Sequence, residues 1–217
     1  MQDDVAAARQ AMVARQIEAR GIANPPLSAA MREVPREAFV PERVAAFAHD
    51  DTPLPIEAGQ TISQPYIVAL MIDAAGIGPG DRVLEIGAGS GYAAAVMGRI
   101  AAEVIAIERH RELANLAAGR MKRLGYDNVR IIAADGSAGL PDSAPFDAIL
   151  AAASGREVPQ RLLDQLAPGG ALVMPIGAEG DVQDLVKVVR TGDDSFERAI
   201  LCAVRFVPLI GEAGWNE

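Results

Sequence analysis

The sequence is poor in residue types on which several protein classes depend. It has one cysteine, two histidines and few aromatic residues, and its 29 acidic residues outnumber its 20 basic ones, giving a net charge of −9. Because the lone cysteine, Cys202, cannot form an internal disulfide, we expect a reducing compartment, the cytoplasm. A general nucleic-acid-binding protein needs a surplus of Lys and Arg to contact phosphates, so the negative charge argues against that class.

Two further absences concern membranes and metals. The longest apolar runs are much shorter than the ~20 residues that span a bilayer, and residues 1–4 lack the basic region with which a signal peptide begins. His49 and His110 lie far apart in the sequence, and neither stands beside another residue suited to metal binding. We therefore expect no membrane partner and no metal site.

The sequence does contain a regular alternation of apolar strands and helices, which starts near residue 81. Strands that are apolar throughout are typical of a parallel sheet buried on both faces. After Gly180 the alternation stops, and residues 183–190 and 196–207 have the pattern of two strands joined by a polar turn. These patterns predict an α/β fold: a doubly wound, mostly parallel, Rossmann-like sheet with an antiparallel C-terminal edge hairpin and N-terminal helices.

We expect one domain over residues 1–217, long enough to bury a full core. It would comprise N-terminal helices and a covering segment (1–80), a cofactor-binding core (81–180), and edge strands with a tail (181–217). The predicted helices of the whole chain are 5–20, a short one capped by Ser28, 65–75, 92–100, 110–124 and 157–166. The predicted core strands are Val83–Ile86, Val104–Ile107, Val129–Ala133, Phe146–Ala151 and Ala171–Pro175.

A glycine-rich turn joins the first core strand to its helix. Gly87, Gly89 and Gly91 permit positive φ angles and a close approach of a ligand to the backbone, and the following helix offers free N–H groups. The dinucleotide-binding motif would need its third glycine where Tyr92 stands. The spacing therefore disfavours a nicotinamide-dependent oxidoreductase.

Acidic residues mark the carboxyl ends of the first three core strands. Glu85 would repel a pyrophosphate but would suit an ammonium or sulfonium group. Glu108 ends the second strand, where an acidic side chain can accept hydrogen bonds from both ribose hydroxyls, and Asp135 follows the third. Together they predict a site for a nucleoside that carries a positive charge, and S-adenosylmethionine is such a ligand.

The segment Pro53–Ala69, which contains Thr-Ile-Ser-Gln-Pro, closely resembles the N-terminal signature of protein-L-isoaspartate O-methyltransferases. The resemblance extends over about residues 10–210. Its further motifs include Val83–Tyr92, Ile107–Arg109, Leu124–Val129, Asp135–Gly136, Ala144–Ile149, Leu166–Gly170 and Val204–Leu209. It implies methyl transfer from S-adenosylmethionine to the α-carboxylate of L-isoaspartyl residues in damaged proteins, whose methyl ester then closes to a succinimide.

The resemblance also implies roles for individual residues. Ser63 falls on the position of the family's catalytic serine, although its spacing equally suits a cap for the helix that starts near Pro65. The positions implied to bind the cofactor are Thr61, Ile62, Glu85, Gly87, Ala88, Gly89, Gly91, Tyr92, Glu108, Asp135 and Gly136. The expected partners are isoaspartyl proteins or peptides, with the chain itself a monomer.

One segment departs from the family pattern. Residues 152–157 read Ala-Ala-Ser-Gly-Arg-Glu where relatives carry a Gly-Ala-Ala-Ala-Pro-like run close to the peptide groove. Two other functions therefore stay open from the sequence. The chain could be a carboxyl O-methyltransferase for a specialised peptide or small acid, or a non-catalytic S-adenosylmethionine-binding module of a larger protein.

Overall fold

The computed structural model describes residues 2–215. The helices are α1 (Gln2–Met12), α2 (Pro25–Glu33), α3 (Pro65–Ala75), α4 (Tyr92–Gly98), α5 (Arg111–Leu124) and α6 (Gln160–Leu163). The strands are β1 (Leu54–Pro55), β2 (Thr61–Ile62), β3 (Arg82–Ile86), β4 (Glu103–Glu108), β5 (Val129–Ala133), β6 (Phe146–Ala151), β7 (Leu166–Ile176), β8 (Gln183–Arg190) and β9 (Phe196–Val204). Within the described residues, no helix is both long and apolar enough to cross a membrane.

The main sheet has seven strands in the order β5-β4-β3-β6-β7-β8-β9. Strands β5, β4, β3, β6 and β7 pair in parallel, and β8 and β9 add to β7 in antiparallel register. The predicted fold class is confirmed, including the hairpin at the C-terminal edge. A separate pair, β1 and β2, is antiparallel and lies in the segment before α3.

Each face of the sheet packs against its own apolar cluster. On one face, Val83 and Val104 join residues of helices α1 to α5 in the larger cluster. On the other face, Leu84 and Ile105 pack with Leu162 of α6 and with residues of the connecting loops and the tail. Because side chains alternate across a strand, consecutive apolar residues fill both clusters, which explains the unbroken apolar strands of the sequence.

Glycines end two of the helices that lead into the core. Gly76 and Gly125 follow α3 and α5 with φ angles of 71° and 74°, the left-handed conformation that glycine adopts without a Cβ clash. Helix α5 also has Glu112 in its first turn and Lys122 with Arg123 in its last turn, each favourably placed relative to the helix dipole.

The predicted cap of the second helix is wrong. The helix begins at Pro25, and the side chain of Asn24 accepts a hydrogen bond from the Leu27 backbone N–H at 3.1 Å. Proline fits the first turn of a helix because its missing N–H would have no partner there. Ser28 consequently lies inside the helix, where it is buried. The first predicted helix does run up to Gly21, but after Met12 it continues as a π turn and a 3₁₀ turn.

The predicted helix over 157–166 is also wrong in extent. Only Gln160–Leu163 is helical, and β7 already begins at Leu166 and runs through Pro168, Gly169 and Gly170. The register between β6 and β7 shifts in this region, and a side chain at Gly170 would approach backbone oxygens of Phe146 and Asp147 at 3.0 Å. Glycines that mark turns in many sequences here permit close contact between two strands.

Candidate active site

Two neighbouring cavities lie at the carboxyl ends of the parallel strands. The larger measures about 730 Å³, within the range of small-molecule sites, and the smaller, about 60 Å³, lies against β3 and α3. Gly87, after β3, and Ala152, after β6, line both. These neighbouring strands are distant in sequence, so the cavities occupy the switch point at which α/β sheets bind ligands.

The glycine loop after β3 has the conformation that its sequence requires. Gly87, Gly89 and Gly91 have φ angles of 85°, 52° and 87°, a region that other residues seldom adopt. Gly87 and Gly89 line both cavities, whereas Ala88 lines only the smaller one. Gly91 packs away from them, since a side chain there would meet Ala117 of α5 at 3.1 Å.

Glu108, at the end of β4, connects the second strand to the glycine loop. Its Oε2 accepts the Gly89 backbone N–H and its Oε1 accepts the His110 backbone N–H, both at 2.8 Å. The side chain is 5% exposed and lines the larger cavity. A carboxylate has about four acceptor sites, so Glu108 can still accept hydrogen bonds from a ligand's hydroxyls.

Glu85 is the most unusual titratable group of the site. It is 2% exposed, lines the smaller cavity, and its Oε2 has no hydrogen-bond partner among the described residues. Burial raises the pKa of Glu85 well above its ordinary value of 4.5, and the nearby charge of Glu108 raises it further, against the smaller effect of the Ala94 backbone N–H. A cationic ligand in the cavity would favour ionisation of Glu85.

Asp135 does not line either cavity, although its neighbour Gly136 lines the larger one. The Asp135 carboxylate instead accepts the Ser137 backbone N–H at 2.8 Å and the Glu212 backbone N–H at 2.9 Å. Burial raises the pKa of Asp135, but these two hydrogen bonds, together with the Ser137 hydroxyl and the charge of Arg109, bring the pKa below its ordinary value. The structure therefore brings Glu85 and Glu108 together in the crevice and turns the third acidic side chain towards the tail.

Thr61, Ile62 and Ser63 form the wall opposite the glycine loop. Thr61 and Ser63 line both cavities, and the buried side chain of Ile62 lines the smaller one. Helix α3 begins after Gln64 without any side-chain cap, so Ser63 does not cap it. No protein group among the described residues hydrogen-bonds the Ser63 hydroxyl. Tyr92, the first residue of α4, is 1% exposed and completes the wall of the smaller cavity.

Two residues that the sequence analysis did not single out, Arg120 and Ile56, link the segment between β1 and β2 to the glycine loop. Arg120 of α5 donates to the Ser90 carbonyl at 3.1 Å and lies 3.7 Å from a carboxylate oxygen of Glu57. Ile56 lies 3.6 Å from the position that a Cβ on Gly89 would take. The sequence pattern identifies Arg120 only as a residue of a helix. Nothing in that pattern indicates its contacts with Ser90 and Glu57.

The atypical segment 152–157 binds the chain's own tail. Ser154 donates its N–H to Val207 and accepts the Leu209 N–H, both at 2.8 Å, and its carbonyl accepts the Trp215 indole N–H at 2.9 Å. The guanidinium of Arg156 lies 4.2 Å from the Trp215 ring centroid. This segment therefore forms a docking site for residues 207–215 beside the cavity.

Within residues 2–215, no group of three His, Cys, Asp or Glu side chains is arranged to hold a metal ion.

The glycine loop, the acidic residues at the strand ends and the cavity at the switch point define a Rossmann-like α/β methyltransferase.

Comparison with known proteins identifies the family. The family model described as protein-L-isoaspartate(D-aspartate) O-methyltransferase (PCMT) matches residues 7–214. The chain belongs to this family.

Named relatives are similar in sequence to almost the whole chain. It is 58% identical over 210 residues to protein-L-isoaspartate O-methyltransferase 1 of Rhodopseudomonas palustris strain HaA2, covering 97% of this chain and 86% of the relative. It is 52% identical over 207 residues to protein-L-isoaspartate O-methyltransferase 2 of Pelobacter propionicus, covering 95% and 92%.

Two solved structures share the fold. A protein-L-isoaspartate O-methyltransferase superposes with a TM-score of 0.85 at 29% identity, covering 94% of this chain and 66% of that one. The PCMT of Plasmodium falciparum, crystallised with S-adenosyl-L-homocysteine, gives a TM-score of 0.79 at 28% identity over 92% of this chain and 96% of its own.

Proposed function

We propose that the chain transfers a methyl group from S-adenosylmethionine to the free α-carboxylate of L-isoaspartyl residues in damaged proteins, the first step of their repair. Family membership supports the reaction, as do relatives with this name at 50–58% identity. The main structural support is a pair of side chains, Glu85 and Ser63, that line the same cavity. The buried Glu85 has an oxygen without a partner, and the Ser63 hydroxyl has no protein partner among the described residues.

The residues fit S-adenosylmethionine. Glu108 and Gly136 line the larger cavity, suited to the ribose side, and Glu85 suits the positively charged part of the cofactor. When bound, S-adenosylmethionine supplies a methyl group on a sulfonium. The proposed cofactor set is Thr61, Ile62, Glu85, Gly87, Ala88, Gly89, Gly91, Tyr92, Glu108, Asp135 and Gly136. In this set Gly91 acts through the loop conformation, and Asp135 also holds the tail beside Gly136.

The acceptor side needs orientation rather than proton transfer. A carboxylate has a free pKa near 4, so it is ionised at pH 7 and needs no general base. The Ser63 hydroxyl can donate a hydrogen bond to one carboxylate oxygen and leave the other aligned with the methyl group. Alignment of reacting atoms of this kind is worth about 7–11 kcal/mol.

The proposal is tested with peptides of one sequence that contain L-isoaspartate, L-aspartate or D-aspartate. Initial rates of labelled methyl transfer are measured for each at equal concentrations. In normal L-aspartate the carboxylate is one methylene further from Cα, and a misplacement of about 1 Å can cost 100-fold. We expect methylation of the L-isoaspartyl peptide and a kcat/KM at least about 100-fold lower for the L-aspartyl one.

Cofactor binding, measured by calorimetry on the same preparation, separates the possible failures. Equal rates on the L-isoaspartyl and L-aspartyl peptides would refute the acceptor assignment. An absence of methylation by a protein that still binds S-adenosylmethionine would refute it as well, and would favour the non-catalytic binding module or another acid as acceptor.

We also propose that residues 1–217 act as one domain and as a monomer in the cytoplasm. The tail supports the single domain, because residues 207–215 contact segment 152–157 and the loop at Asp135. Sedimentation of the purified chain with and without cofactor would test the monomer.

A further inference from the structure

Arg36 is a fully buried cation that lies behind the active-site wall. It opens the 3₁₀ turn Arg36–Phe39 and is 0% exposed. Its Nε donates to the Ala48 carbonyl at 2.8 Å and its Nη2 donates to the Ser63 carbonyl at 2.7 Å. A buried charge is retained in a fold only where such contacts compensate its desolvation, so this arrangement needs an explanation.

The guanidinium contacts the cofactor side of the site as well. It lies 4.7 Å from the ring centroid of Tyr92, in cation–π geometry, and its Nη1 has no hydrogen-bond acceptor among the described residues. Tyr92 also packs edge-on against Phe39, with centroids 5.6 Å apart. One side chain thus joins the wall that carries Ser63 to the first residue of α4, which follows the glycine loop.

Arg36 contacts Ser63 in a short segment that belongs to neither a strand nor a helix. Strand β2 ends at Ile62 and helix α3 begins at Pro65, so Ser63 and Gln64 lie between two elements. The Ser63 carbonyl belongs to the peptide plane that it shares with Gln64. Fixing this plane restricts the ψ angle of Ser63 and thereby the direction of its Cα–Cβ bond, which carries the hydroxyl.

We propose that Arg36 is a positioning residue for methyl transfer: its two hydrogen bonds hold the Ser63 peptide plane against the Ala48 loop and aim the Ser63 hydroxyl at the acceptor carboxylate. This inference rests on the proposed function, because it presupposes that Ser63 orients the acceptor. Arginine suits the task because its planar fork donates in two fixed directions. Lysine keeps the charge but cannot reproduce the geometry.

The test is a double-mutant cycle with Arg36→Lys, Ser63→Ala and the double variant, assayed with the L-isoaspartyl peptide. We expect Arg36→Lys to lower kcat by up to about 100-fold, the loss that a misplacement of about 1 Å can cause, while KM for the peptide and Kd for S-adenosyl-L-homocysteine change less than about threefold. In the Ser63→Ala background the same substitution should change kcat less than about threefold, since the positioned group is already gone.

The matched control is Arg190→Lys. Arg190 on β8 donates to the carbonyls of Leu166, Gly192 and Asp193, far from the cavities, so the substitution should lower Tm without changing kcat. All variants are measured at low temperature, with folding checked by binding of S-adenosyl-L-homocysteine. Arg36→Gln serves as a second variant with one donor group.

Three results would overturn the inference: unchanged kcat in a folded Arg36→Lys protein, multiplicative losses in the double variant, or failure of both Arg36 variants to fold, which would give Arg36 a purely structural role. Each is distinct from failure of the proposed function, in which the wild-type chain itself would not methylate the L-isoaspartyl peptide.

Discussion

The Glu108 carboxylate accepts the backbone N–H of Gly89 at 2.8 Å. The residue proposed to hold the ribose therefore also fixes the glycine loop at the edge of the same cavity. A substitution at Glu108 acts on both, since it removes a ligand contact and releases the loop that forms the cavity wall.

For this reason Glu108→Ala should weaken S-adenosylmethionine binding by at least about 1.5–3 kcal/mol, the range for a hydrogen bond to a charged group. Glu108→Gln keeps the shape, but its amide nitrogen must face either the Gly89 or the His110 N–H, so we expect a loss of similar size. Calorimetry measures both. An unchanged affinity in folded variants would refute the ribose assignment.

Glu85 should make the stability of the cofactor-free protein depend on pH. Its pKa is raised in the folded state, so between 4.5 and the folded pKa the unfolded chain has lost a proton that the folded chain retains. The folded state therefore loses stability as pH rises through this window, and below 4.5 the effect is absent. Glu85→Gln should remove this decline, giving a higher Tm at neutral pH, while a cationic ligand binds more weakly.

Thermal unfolding from pH 4 to 8, with and without S-adenosylmethionine, checks the prediction for Glu85. Glu197→Gln, on the exposed edge strand, is the matched control and should leave the profile unchanged. A Glu85→Gln protein with the same pH profile as wild type, or with full affinity for S-adenosylmethionine, would contradict the proposed role.

Ser63→Ala should lower kcat by one to two orders of magnitude and leave cofactor affinity within about twofold. The hydroxyl is proposed to orient the acceptor, and it makes no helix cap whose loss would destabilise the fold. Steady-state kinetics with the L-isoaspartyl peptide and calorimetry with S-adenosyl-L-homocysteine provide the two readouts. Full turnover in this variant would exclude Ser63 from the mechanism.

Asp135→Asn should loosen the tail, because an amide cannot accept both backbone N–H groups that the carboxylate accepts. Hydrogen exchange of residues 211–215 should become several-fold faster. The pKa of Asp135 is lowered in the folded state. Its stabilising contacts with the tail are therefore fully present above pH 3.8 and should be lost as the pH falls through the folded pKa. Asp194→Asn, in the exposed β8–β9 turn, should have no effect on the tail. Unaltered exchange in Asp135→Asn would show that other contacts suffice.

Gly91→Ala should destabilise the protein by about 1–3 kcal/mol, because its φ angle of 87° strains any L side chain and its Cβ would meet Met121 at 3.2 Å. Gly119→Ala is the matched control: apart from its chain neighbours and the backbone of its own helix, no atom lies within 4 Å of the Cβ position, and alanine in a helix should stabilise by about 0.5–1 kcal/mol. Denaturant unfolding measures both. Similar effects of the two substitutions would contradict the strain argument.

The sequence alone was sufficient for the sheet, the glycine loop and the acidic residues at the strand ends. Those features depend on local patterns: apolar runs, helix-ending glycines such as Gly125, and the turn between two strands. It misjudged the region around Pro168 and Gly169, where a helix was predicted to stop before a strand. Local preference favours a break there, but β7 extends across these residues and pairs with β6 on both sides of a shift in register.

Only the tertiary structure decided how the site is held together. The contacts of Arg36 with Ser63, of Arg120 with Ser90 and of Trp215 with Ser154 join residues about 27 to 61 positions apart. A hydrogen bond between distant residues depends on where the backbone brings them, and it leaves no periodicity in the sequence. The sequence therefore determined which groups are available at the strand ends. Long-range packing determined that Glu85 faces the smaller cavity and Glu108 the larger one, while Asp135 holds the tail.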